Sequence, residues 1–232
     1  MKFAFALLSV LIVNNLASFT EIANTLLSER VVDGEVDYQG IKNNPSRINE
    51  LYQLIGEMSL DGASEAEKKA FYINAYNIAT IHQIIEHYPV SSPNDIKGFF
   101  DQKKHTIAGE QLTLNELEKT KLLAPYQDPR IHFVLVCAAV SCPPLADFAY
   151  QAENLDEQLD QKTRQALNSD DFIRVMPDQK KVELSQIFEW YQSDFTNQAE
   201  SLIAYVNQYR DHKIPTDHQV GHYEYNWNLN DQ

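Results

Sequence analysis

Both cysteines of this 232-residue chain, and a histidine, lie close together in RIHFVLVCAAVSCPPL, residues 130–145: His132, Cys137 and Cys142. A thiol beside an imidazole is the minimum set for nucleophilic sulfur chemistry, the base removing the proton that leaves a reactive thiolate. With Cys142 as nucleophile or redox thiol and His132 as base, the segment could support acyl transfer, amide hydrolysis or thiol exchange. Asn74 or Asn77 would then orient the imidazole or polarise a carbonyl, with Arg130, Ser141 and Cys137 in support. The same two cysteines could equally form a bridge, given Cα atoms within about 4.4–6.8 Å. Closing so small a ring is worth about 2 kcal/mol in loop entropy, and it would silence Cys142. Both readings stand on the residues alone, the second leaving a non-catalytic binding or scaffolding domain.

The elements that position these groups follow from pattern. Residues 131–137 are apolar apart from His132 and rich in β-branched and aromatic types, which predicts a strand covered on both faces. Strand parity then places His132 and Cys137 on opposite faces and leaves His132 and Cys142 unconstrained. Cys142-Pro143-Pro144 reads as a helix start, since the first helical N–H groups have no partner inside the helix. A thiol there would feel the positive end of the helix dipole, although the prolines remove two amide donors.

A long helix over residues 64–87 is the second organising element. Ser64 and Glu67 form a capping-box signature, and Ala70, Asn74, Asn77, Ile78, Ile81 and Ile85 share one stripe. Asn74 and Asn77 therefore lie among apolar neighbours, where an unpartnered amide costs about 1–3 kcal/mol. Thr113 and Glu116 repeat the capping box, and Glu116 and Glu118 read as solvated helix charges. Further helices are expected over residues 20–32, 45–58, 154–167, 185–195 and 199–209, with a hairpin over 173–176 and 182–184. In the tail, Tyr223, Tyr225, Trp227 and Leu229 alternate with Glu224, Asn226 and Asn228, the pattern of a half-buried strand. The sum is an α+β fold: a helix-rich single domain with a small central sheet, its long helix packed on strand 131–137.

Other chemistries are poorly served. The net charge is −14 and no basic patch is present, which argues against nucleic acid. With seven glycines there is no phosphate-cradling loop, and no G-x-S-x-G elbow occurs. His212, His218 and His222 fall in a segment broken by Pro215 and Gly221 and read as loop histidines, so no metal or cofactor is called. At the start, Lys2, an apolar run over residues 3–13 and small residues beyond make a signal peptide over 1–18. The run is too short to cross a bilayer, which takes about 20 residues. The expectation is a domain over 19–232 with no membrane span after signal removal, periplasmic or secreted, acting on an unknown small-molecule or envelope substrate.

Taken together, VDGEVDY, AFYINAYNIATIHQIIEHYP, IAGEQLTLNELE, DPRIHFVLVCAAVSCPPL, LSQIFEWYQSDF and YEYNWNLN resemble the domain of unknown function 547 family, over roughly residues 22–229. The resemblance implies signature positions at Asn74, Asn77, Arg130, His132, Cys137, Ser141 and Cys142, and no settled activity. A long buried helix beside a histidine-bearing strand is also loosely similar to papain- and transglutaminase-like folds. Those place cysteine at the start of the central helix, where this chain has Lys69 and Ala70.

Overall fold

A computed structural model describes residues 2–232, with side chains described from Asn15 onward. The first helix, α1 (Lys2–Arg30), is continuous through the segment expected to separate a leader from a short helix. Its buried Phe19 meets Phe71 at 5.5 Å between ring centroids. Asp33 and Gly34, both at positive φ, turn the chain between β1 (Val31–Val32) and β2 (Glu35–Val36). Gly34 has a second constraint, because a Cβ there would lie 2.6 Å from the Pro144 side chain. Helices α2 (Tyr38–Asn43) and α3 (Ser46–Glu57) follow.

The capping box at Ser64 forms: Ser64 Oγ accepts the Glu67 N–H while Glu67 Oε2 accepts the Ser64 N–H. Helix α4 (Glu65–His87) starts there and is buried on nearly every side, as a helix apolar around most of its circumference must be. It is packed by α1, α2, α3 and the stretch Leu117–Leu123. β3 (His105–Ile107) and β4 (Glu110–Leu112) form a hairpin through Ala108 and Gly109, both at positive φ. The second capping box, at Thr113, opens a helical stretch whose middle, Leu117–Leu123, is π-helical.

In the second half, a helix spans Leu155–Asn168 and another Leu202–Tyr209. β5 (Ile173–Met176) and β6 (Lys181–Leu184) form the expected hairpin, and β7 (Gln219–His222) joins β6 in parallel. The fold is α+β, with three small sheets of two, two and three strands among the described residues. None of them contains residues 131–137: in place of the expected strand, Pro129–Phe133 is a 3₁₀ turn and the chain beyond it is irregular. The tail keeps its alternation, with Tyr223, Tyr225 and Leu229 buried and Glu224, Asn226 and Asn228 exposed. It runs extended and touches neighbouring chain through single bridges, Ala139 with Leu229 and Val36 with Asp231.

Among the described residues, no helix is long and apolar enough to cross a membrane.

Candidate functional site

Pro129 fixes φ at the start of the 3₁₀ turn, and Asp128 Oδ1 accepts the Arg130 N–H at 3.0 Å. The N–H groups of Val134 and Leu135 turn back to the Ile131 carbonyl. A strand would need neighbours for its next amides, and here a side chain takes that place. Asn77 Nδ2 donates to the Val134 carbonyl at 2.9 Å, and its Oδ1 accepts the Val136 N–H at 3.0 Å. The apolar run is covered on all sides because helices wrap it, a condition that hydrophobicity alone does not separate from burial in a sheet.

His132 lies in this turn, 2% of its side chain exposed, with Nε2 2.8 Å from Asp194 Oδ2. Its ring packs on Tyr191 at 4.1 Å and Phe195 at 5.3 Å. The hydrogen bond from His132 holds the Asp194 carboxyl below its ordinary range, against the opposing effect of burial.

Cys137 and Cys142 are bonded to each other, with Cα atoms 6.2 Å apart. No helix starts at Cys142. Its N–H donates to the Ala139 carbonyl in a tight turn, in which Ala138 takes positive φ, and residues 143–146 are irregular. Neither dipole activation nor strand parity therefore applies. Cys142 Sγ accepts the Cys137 N–H at 2.9 Å, and the Tyr225 hydroxyl sits 3.2 Å from both sulfurs.

The remaining candidate residues have placed partners. Asn74 brackets the Tyr150 backbone, donating to its carbonyl at 2.8 Å and accepting its N–H at 2.9 Å. Arg130 binds Asp128, Asp156 and Asp160, with Lys69 2.6 Å from Asp128, and so fixes the 3₁₀ turn to the helix Leu155–Asn168. Ser141 Oγ accepts the Asn226 N–H at 2.9 Å, tying the cysteine loop to the tail. The structure thus brings His132, Cys137 and Cys142 to one cavity and directs Asn74, Asn77, Arg130 and Ser141 to backbone and ionic contacts.

That cavity encloses about 280 Å³. His132, the bridge and Leu135 line it together with six aromatic residues, Trp190, Trp227, Tyr225, Phe100, Tyr76 and Tyr191. Trp190 stacks on Trp227 at 6.0 Å and is 47% exposed, which puts it at the rim. Glu118 also lines the cavity, 7% exposed, carried on the π-helical stretch. Burial pushes its carboxyl above the ordinary range, partly offset by the Tyr191 hydroxyl and His132. Among the described residues no lysine or arginine forms an ion pair with it, Lys119 acting on it only through space. π-Helical turns are rare and often occur at functional sites.

Glu118 corrects the expectation of a solvated helix charge. The signal was present, since Leu114, Glu118 and Leu122 recur every four residues and both leucines are fully buried. Tyr191 was legible as inward-facing from its helical spacing with Ile187 and Phe188, whereas Asp194 and Trp190 had no comparable signal, because only tertiary packing brings them to the site. Among the described residues, no group of three or more His, Cys, Asp or Glu is arranged to hold a metal ion.

In comparison with known proteins, residues 60–166 fit the model of a family described as protein of unknown function, DUF547. No curated protein and no solved structure matches the chain.

Proposed function

The chain carries a domain of the DUF547 family, and from that premise we propose that it is a non-catalytic binding module, holding a small organic ligand in the aromatic cavity. The observation that carries this reading is the Cys137–Cys142 bridge: the sulfur required as nucleophile is bonded to the other cysteine on the cavity wall. A sulfur so engaged cannot form a thiolate. The cavity is near the lower end of the roughly 300–1,000 Å³ usual for small-molecule sites, and it has their composition, mostly apolar with a few convergent polar groups. Asn77 and Asn74 act as positioning residues that hold the backbone behind it.

The bridge also fits an oxidising compartment. In this reading residues 1–18 are a leader, and the mature module works outside the cytoplasm.

Thiol labelling tests the reading. Protein recovered from an oxidising compartment and denatured without reductant takes up no iodoacetamide, and takes up two equivalents after reduction. Labelling of Cys142 in the native protein with a pKa well below about 8.5, together with an amidase or acyl-transfer activity lost in Cys142→Ser, overturns it.

A second reading, thiol exchange, draws on the half-buried Cys137 and the Tyr225 hydroxyl beside both sulfurs. A dithiol partner would give two electrons and two protons to the bridge, leaving Cys137 and Cys142 as thiols and itself as a disulfide. Turnover of a dithiol–disulfide couple, abolished by Cys142→Ser, decides for exchange; its absence decides for the binding module.

A further inference from the structure

We propose that the cavity selects an organic cation, a methylated ammonium group held against aromatic faces with Glu118 as its counter-charge. The inference rests on the binding-module reading and names the class of ligand.

Two features converge on a positive charge. The first is the aromatic lining: Trp190, Trp227, Tyr225 and Phe100 meet in successive ring contacts of 4.8–6.1 Å, and Tyr76 and Tyr191 line the same cavity. The face of an aromatic ring carries negative electrostatic potential, and a cation within about 6 Å of the centroid is attracted, tryptophan being the strongest partner. The second is Glu118, buried in this apolar lining: the Tyr191 hydroxyl hydrogen-bonds it and Lys119 acts on it only through space, so among the described residues no cation pairs with it directly. A buried carboxylate is costly unless paired, and the cavity is where a counter-ion can reach it.

Neither feature favours the alternatives. An anion would meet Glu118 and the electron-rich ring faces. A sugar needs many free hydrogen-bonding groups around its hydroxyls, and of the polar lining groups His132 is bound to Asp194, the Tyr225 hydroxyl lies on the two sulfurs and Tyr191 is bound to Glu118, which leaves chiefly Asn115 and Tyr76. A primary ammonium is strongly hydrated and would need several acceptors. A methylated one gives up water readily and presents its methyl groups to the rings, the chemistry of aromatic cages for quaternary ammonium. The net charge of −14 adds a long-range field that favours cations.

The chain has two tryptophans, and both line the cavity, so intrinsic fluorescence reads occupancy. The probe pair is choline and its neutral carbon isostere, 3,3-dimethylbutan-1-ol, which share shape and differ in charge. Choline is expected to shift tryptophan emission saturably, with the isostere at least tenfold weaker. Glu118→Gln, with unchanged far-ultraviolet circular dichroism, is expected to weaken choline at least tenfold and leave the isostere unchanged. Equal binding of the two probes overturns the proposal while leaving an apolar binding cavity in place. Absence of a choline response overturns it as well. The probe comparison is made on the unaltered protein, so a variant that fails to fold does not remove the test. Native labelling of Cys142 with a pKa well below about 8.5, together with an amidase or acyl-transfer activity lost in Cys142→Ser, would instead remove the binding-module reading itself.

Discussion

Asn77 does at one position what a neighbouring strand does along its length: it supplies a donor and an acceptor to the backbone of residues 134–136. Its removal leaves a buried N–H and a buried carbonyl without partners, at about 1–3 kcal/mol for each group. Asn77→Ala is therefore expected to lower unfolding free energy by about 2–6 kcal/mol, read from urea denaturation, and a loss under 1 kcal/mol would contradict this account. That Asn77 is buried was legible, since it shares a stripe with Ile78, Ile81 and Ile85. Its partner was not, because the run it serves lies 57 residues away. Glu118 shows the opposite case: the spacing Leu114, Glu118, Leu122 gave its burial away, but an acidic residue two positions after a capping box is easily read as solvated.

At the level of elements, α4 and both capping boxes followed from local rules, and they formed as read. Ser64→Ala is expected to cost about 1 kcal/mol, the usual worth of an N-cap, in a thermal or urea midpoint. The junction of α3, α4 and β3 carries a pH dependence. His105 is buried there between Tyr52 and Gln83, Nδ1 2.9 Å from the Tyr52 hydroxyl and Nε2 3.0 Å from Gln83 Oε1. Gln83 Oε1 can only accept, so Nε2 carries the proton and Nδ1 accepts from Tyr52, which requires a neutral ring. Burial pushes its pKa down to about 4. Unfolded, the imidazole binds a proton below about 6.5, while the native one stays neutral until about 4. Its contribution is thus complete above pH 6.5 and falls as pH drops through that window, by roughly 3 kcal/mol in all. Unfolding free energies measured between pH 7 and 4 should show this decline, and His105→Gln should flatten it by that amount. The expected strand over residues 131–137 failed at this same level. Apolar composition reports that a segment is buried, and it was; whether strands or helices bury it depends on chain far away in sequence.

For the whole molecule, an α+β class with little sheet was readable from helical periodicity and a few short alternating runs. Among the described residues β3 packs on α3 and β5 on the helix Leu155–Asn168, and none of the three small sheets contains residues 131–137. The bridge joins residues five apart, so its effect on global stability is small: reduction is expected to remove about 2 kcal/mol, a modest fall in the thermal midpoint of a chain that stays folded. Unfolding on reduction would mean that the loop at residues 138–141, with its links to the tail, is the keystone of the fold. The tail has wider reach. Asn228, Asn226 and Ser141 join it to the cysteine loop, and the Val36 N–H donates to the Asn230 carbonyl at 2.9 Å. Tyr88 holds Asp231 at 2.6 Å.

Because Tyr225 and Trp227 come after every other lining residue in the sequence, synthesis must pass residue 227 before any binding chamber exists. Copies stalled or cleaved ahead of it would be blank, however well their helices had assembled.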